Sequence, residues 1–128
     1  MILDTTFLID LQRELVRGET GPATTFLERN RSVTLKVSVV TVGEFLEGYD
    51  PERMAEGRRL FDGLEMLAAD QAVATQYAAF SRLLRSQGFR TGDNDIWIAA
   101  TARDAGEPLV TRDTEYFRRM PGVDVRSY

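Results

Sequence analysis

MILDTTFLIDLQREL, residues 1–15, decides the fold of this chain, because the spacing of its apolar residues changes at a single acid. Met1, Ile2 and Leu3 form a short apolar run that stops at Asp4, and Phe7, Leu8, Leu11 and Leu15 then recur at helical spacing. A strand that turns directly into a helix reads this way. The pattern returns downstream. Val33 to Val40, rich in β-branched residues and bounded by Ser32 and Thr41, reads as a buried strand, with a helix over Val42 to Tyr49 directly behind it. Pro22 and Pro51 open two further helices. Leu64 to Ala68 reads as a short strand. Asp70 to Arg85 is the longest helical pattern, with Val73, Tyr77, Phe80 and Leu84 on one stripe and Gly88 as its stop signal. Asp95 to Ala105 is a helix ending at Gly106; Leu109-Val110-Thr111 is a strand, followed by a short helix and a last strand near Val123 to Val125. Strands alternating with helices predict an α/β fold, a three-layer α/β/α sandwich around a mostly parallel sheet with right-handed crossovers.

Composition narrows the chemistry. The 128 residues fit one domain, 43% hydrophobic and 28% charged, which excludes a disordered or fibrous chain. There is no cysteine and no histidine. A Ser-His-Asp triad, a Cys-His pair, a His-based nuclease and nearly every zinc site are thereby excluded. Carboxylates, hydroxyls, Arg, Tyr and a bound hard cation remain. No segment approaches the length of a membrane span and the N-terminus carries no basic leader, so a cytoplasmic protein without a membrane partner is expected. Of the 16 basic residues only Lys36 is a lysine.

In open α/β sheets, sites form outside the carboxyl ends of the strands. Four acids fall there: Asp4 after the first strand, Glu44 in the helix after the second, Asp95 at the start of the helix before Gly106, and Asp113 after Leu109 to Thr111. Each has a plain structural reading. Asp4, Asp95 and Asp113 suit helix N-caps, and Thr41-x-x-Glu44 matches a capping box. Together, four carboxylates at one edge repel unless a cation neutralises them. Mg²⁺ or Mn²⁺, with their preference for oxygen ligands and retained waters, suits such a set. Removing those four from the 20 acids leaves 16 against 16 basic residues, so the formal charge of −4 does not exclude RNA.

LDTTFLID, VTVGEFLEGY, NDIWIAATARDAG and LVTRDTEYF, in this order, resemble the PIN domain, and specifically the small bacterial toxin ribonucleases called VapC. The resemblance covers almost the whole chain. It implies a ribonuclease whose acidic quartet falls on Asp4, Glu44, Asp95 and Asp113, with one or two Mg²⁺ ions (or Mn²⁺) activating water to leave 5′-phosphate and 3′-hydroxyl ends. Thr6 would be the hydroxyl bonded to a ligating carboxylate, with Thr111 as a second one. Asp93 is an extra acid in the same region, for which a helix-start role, shared with Asn94, competes. Arg112, Arg118 and Arg119 are candidates for RNA phosphates, or else solvated surface charge.

The resemblance further implies an antitoxin whose apolar helix packs into a groove, for which Leu11, Leu15, Phe45, Leu46 and Tyr49 are candidates. It also implies homodimerisation or a toxin-antitoxin hetero-oligomer, with Asp70 to Arg85 as the candidate dimer helix. A receiver-type phosphoacceptor would gather acids similarly but needs a lysine after a late strand. A catalytically silent RNA-binding or scaffold PIN domain would be expected to have lost acids, and all four are present.

Overall fold

In the computed structural model, which describes residues 1–89 and 92–128, the two-residue strand β1 (Ile2–Leu3) lies at the centre of a five-stranded sheet. Every pairing is parallel and the order is β3-β2-β1-β4-β5, with β2 at Lys36–Ser38, β3 at Glu65–Leu67, β4 at Leu109–Val110 and β5 at Val125–Arg126. Strands this short hold a sheet together only because both faces are covered. Successive side chains point to opposite faces. Ile2 and Leu109 accordingly enter one core while Leu3 and Val110 enter the other, and all four are fully buried.

One face carries α1 (Thr5–Arg17), α2 (Pro22–Arg29) and α3 (Val39–Glu47), whose Phe7, Leu8, Leu11, Ala23 and Phe45 build its core. The other carries α5 (Gln71–Ser86) and α6 (Asp93–Ala105), which pack on each other, with Phe117 of α7 (Thr114–Phe117) joining them. The three-layer α/β/α expectation holds. α6 is apolar on most sides because it is the helix most enclosed: Ile96, Ile98, Ala99, Ala100, Thr101 and Ala102 are all buried. Complete burial of a side chain such as Ile98 contributes about 1.5–3 kcal/mol relative to exposure. α1 and α6 each stop at a glycine in the left-handed region, Gly18 (φ 64°) and Gly106 (φ 62°), where a side chain would be strained.

Several boundaries differ from the sequence reading, among them the last strand, read near Val123 to Val125 and found at Val125–Arg126. The strand expected over Val33 to Val40 is only Lys36–Ser38, and α3 begins at Val39, because the Ser38 hydroxyl oxygen accepts a hydrogen bond from the Val40 N–H and caps the helix. Local capping thus overrides the β preference of Val39 and Val40. The expected Thr41/Glu44 capping box is absent for the same reason: Thr41 is inside the helix, fully buried, with its hydroxyl unpaired among the described residues. The helix expected to open at Asp95 begins at Asp93 instead, with Gly92 at its N-cap. The segment from Pro51 is a five-residue helix, α4 (Met54–Arg58), between two 3₁₀ turns. Gly57 lets α4 lie close on α3, since a Cβ there would stand 2.9 Å from atoms of Leu46 and Tyr49.

Candidate active site

β1 ends at the carboxyl edge of the sheet, and the next residue, Asp4, is only 2% exposed. It occupies the N-cap position of α1 without using its side chain as a cap. Instead Asp4 Oδ2 accepts hydrogen bonds from Thr6 Oγ1 and Thr111 Oγ1, both at 2.8 Å. Burial raises the Asp4 carboxyl above its ordinary value; the two threonine hydroxyls and the Thr5 N–H oppose that, and the charge of Glu44 adds to it. Thr111 also accepts the Asp113 N–H at 3.1 Å, so one hydroxyl ties the ends of β1 and β4 and fixes the start of the turn carrying Asp113. Asp113 itself caps α7, its carboxylate accepting the Tyr116 N–H at 3.3 Å.

Glu44, in the second turn of α3, is held by two groups. Thr5 Oγ1 donates to its Oε2, and Asn94 Nδ2 donates to its Oε1 at 3.4 Å. Asp95 lies in the first turn of α6, and its carboxyl is pushed up to about 6, first by burial and then by the charges of Asp4, Glu44 and Asp113. The charges of Asp4, Glu44 and Asp113 thus reach Asp95 at the carboxyl edge of the sheet. Asp93 goes elsewhere: its carboxylate accepts a hydrogen bond from Tyr77 of α5 at 2.9 Å, and Tyr77 stacks on Trp97 at 4.3 Å between ring centroids. Two residues apart on a helix, Asp93 and Asp95 cannot share a face.

The candidate arginines also separate. Arg112 adjoins the cluster and is bound to Asp10 at 2.7 Å, Arg119 lies over the Phe89 ring at 3.9 Å, and Arg118 is exposed at the end of α7. Sequence reasoning passed over Thr5, Asn94 as a partner of Glu44, and the Asp10–Tyr128 bond behind Arg112. The first of these had a signal in the two adjacent hydroxyls after Asp4, which start α1 on different sides of its axis.

The donor set is all oxygen, and among the described residues no Lys or Arg forms an ion pair with any of the four acids. Both facts fit a hard divalent cation. The carboxylates are not drawn into a closed cage, since among the described residues no three acids stand together as a ready-made ion site. Mg²⁺ keeps several waters and takes as few as one or two carboxylates, so its binding does not require three acids together.

With this geometry in view, the kind of protein is plain: the chain belongs to the PIN-domain family, whose family model matches residues 1–123. Its similarity runs to ribonucleases called VapC. It is 38% identical over 96 residues to Ribonuclease VapC4 of Mycobacterium tuberculosis, covering 70% of this chain and 73% of that protein. It is 24% identical over 129 residues to Ribonuclease VapC1 of Methanocaldococcus jannaschii, covering 100% of this chain and 86% of that protein. Among solved structures, DNA-bound VapBC from Salmonella typhimurium superposes with a TM-score of 0.83 at 25% identity, covering 98% and 96% of the two chains.

Proposed function

We propose that this chain is a divalent-metal-dependent endoribonuclease, its 128 residues working as one domain, and that it is the toxin of a cytoplasmic toxin-antitoxin pair. The observation that carries the reading is the cluster of Asp4, Glu44, Asp95 and Asp113, drawn from four separate segments and left without a described cationic partner. Similarity to ribonucleases named VapC supports RNA as the substrate.

Asp4 and Asp95 would be the principal holders of Mg²⁺ or Mn²⁺, with Glu44 and Asp113 completing the set. A bound ion supplies water activation and neutralises charge developing on the phosphate. The chain's own part is placement. Thr6 and Thr111 both bind the same oxygen of Asp4, so Oδ1 is the oxygen left for other partners. Thr5 and Asn94 hold Glu44 by one oxygen each, which sets where it can accept a proton from attacking water. In-line attack by water leaves 5′-phosphate and 3′-hydroxyl ends, whereas attack by the RNA's own 2′-hydroxyl needs an acid and base pair for which the chain has no histidine.

The antitoxin would lie along a cleft of about 500 Å³ between α1, Tyr49 and the α4 segment, where Leu15 is 57% exposed and Val16 80% exposed. The VapBC likeness supports such a partner. Of the expected groove residues, Leu11 and Phe45 are instead buried in the core and Leu46 packs against it, leaving Leu15 and Tyr49 in the cleft. A homodimer through α5 would have to use the face opposite Val73, Phe80 and Leu84, because those three are packed inside.

The test is cleavage of a single-stranded RNA by the purified chain with EDTA, then with Mg²⁺ or Mn²⁺ restored. Expected are metal-dependent products that a 5′-phosphate-dependent exonuclease degrades, and their loss in Asp4→Asn. Cyclic-phosphate ends, or cutting that persists in chelator, refute the mechanism. Intact RNA with every metal, despite RNA binding, selects the silent scaffold instead.

A further inference from the structure

Apart from Arg112, no residue given a role so far lies in the groove down the flank of α1. It has a volume of about 370 Å³ and lies between the second half of α1, the turn into α2 and the second residue after β4, with Arg13, Arg17 and Arg112 among its walls. Asp10, Arg13 and Arg17 are spaced three and four residues apart, so they share one side of the helix. Arg112 stands between Thr111, bonded to Asp4, and Asp113, so the groove begins at the acidic cluster. From that edge α1 runs away at about 1.5 Å per residue, which puts Arg13 and Arg17 at increasing distances of roughly 13 and 20 Å along it.

Two of the groove's three acids, Asp10 and Glu14, are turned to structural work, while the third, Glu19, is exposed at its far end. The Glu14 carboxylate accepts the N–H groups of Ala23 (3.0 Å) and Thr24 (2.8 Å) and the Thr24 hydroxyl (2.8 Å), which closes the start of α2. Gly21 makes this contact feasible, since a Cβ there would collide with that carboxylate. The Asp10 side chain is 14% exposed and holds Arg112 at 2.7 Å, and Arg13 at 3.7 Å, while accepting the Tyr128 hydroxyl at 2.7 Å. Tyr128 is itself set edge-on against the buried Phe7 ring, 4.7 Å between centroids. Besides Glu19, the groove presents guanidinium to solvent: Arg13 is 62% and Arg112 63% exposed. Such forks match phosphate oxygens, and Asp10 pre-orders one of them at the mouth of the site.

We propose that the α1 groove is the track of the RNA backbone on one side of the scissile phosphate, with Arg112 contacting the phosphate next to the acids and Arg13 and Arg17 the phosphates beyond. This rests on the ribonuclease reading above and deepens it. In a chain of net charge −4 the substrate then follows three arginines in a groove where Asp10 and Glu14 are engaged by protein groups and Glu19 alone is an exposed acid.

The test compares wild type, Arg13→Ala/Arg17→Ala and Arg13→Lys/Arg17→Lys as full chains. One substrate is a long single-stranded RNA and the other a dinucleotide with a single phosphodiester. For the long RNA the alanine pair should raise KM on the order of tenfold near 0.1 M salt, with kcat unchanged, and flatten the salt dependence by about 1.4 in slope, at about 0.7 for each phosphate no longer bound. Cleavage of the dinucleotide should not change, and the lysine pair should recover most of the KM. Equal KM and equal salt slope in wild type and the alanine pair overturn the track while leaving the ribonuclease reading intact. If wild type cuts no RNA, that reading falls, and fluorescence anisotropy with the same long RNA decides the track by the same comparison. An alanine pair that holds RNA like wild type but loses a polyglutamate peptide overturns it in favour of an acidic protein partner.

Discussion

Replacing Asp95 by Asn should stabilise the protein without metal, and only above a defined pH. In the folded chain the Asp95 carboxyl is pushed from 3.8 to about 6 by burial and by Asp4, Glu44 and Asp113. A carboxyl raised in this way binds more protons folded than unfolded between about pH 4 and 6, so its contribution to stability is lost as pH rises through that window. Two units correspond to about 3 kcal/mol, and solvent screening of a partly exposed side chain reduces this to about 1–2 kcal/mol. For a chain of this size that is a rise of roughly 4–7 °C in Tm. Thermal melts by circular dichroism in EDTA, at pH 8 and at pH 3.5, measure it. Asp95→Asn should melt higher than wild type at pH 8 and level with it at pH 3.5. A variant that melts at or below wild type at pH 8, with an unchanged pH profile, would show that the four charges do not burden the fold.

Added Mg²⁺ or Mn²⁺ should raise the wild-type Tm, by about 2.7 kcal/mol of stabilisation at a hundredfold excess over Kd, and raise Asp95→Asn far less; equal shifts would place the ion elsewhere. Thr111→Val removes a buried hydroxyl that serves Asp4 and Asp113 together and should cost about 1–3 kcal/mol in urea unfolding, along with RNA cleavage. Full activity at normal stability would deny that this hydroxyl positions Asp4. Thr5→Val should lower kcat with little change in stability, because it frees Glu44 without opening the core, and an unchanged kcat would remove Glu44's orientation from the mechanism. Gly57→Ala should cost about 1–3 kcal/mol through overpacking against Leu46 and Tyr49, and a neutral result in the same unfolding assay would mean that α4 can shift.

The layer order was legible because apolar runs in this chain change period where strands become helices. Met1 to Leu15 shows that change cleanly, and β1 and α1 fall where it predicts. Val33 to Val40 misled because β-branched residues are tolerated in the first turn of a short helix once Ser38 caps it. The position of the four acids followed from topology alone, since the carboxyl edge of a parallel sheet gathers whatever follows each strand. What held them there was not legible. The pairing of Thr111 with Asp4 spans 107 residues, and that of Asn94 with Glu44 spans 50. Asp93 and Asp95 look equivalent in sequence and are told apart only by Tyr77 arriving from α5.

The central strand comes first in the chain and completes its pairing late. β1 meets β2 within 40 residues, but its other neighbour, β4, is residues 109 and 110, and β4 in turn is flanked by β5 at 125 and 126. During synthesis at about 5–20 residues per second, Ile2 and Leu3 therefore wait several seconds with one edge unpaired. The fourth acid is made only at position 113, and Asp4 lacks its Thr111 hydroxyl until two residues earlier. A ribosome carrying any shorter product carries a chain that cannot assemble the cluster. The order of strands in the sheet thus delays the appearance of the full acidic cluster until most of the chain has been translated.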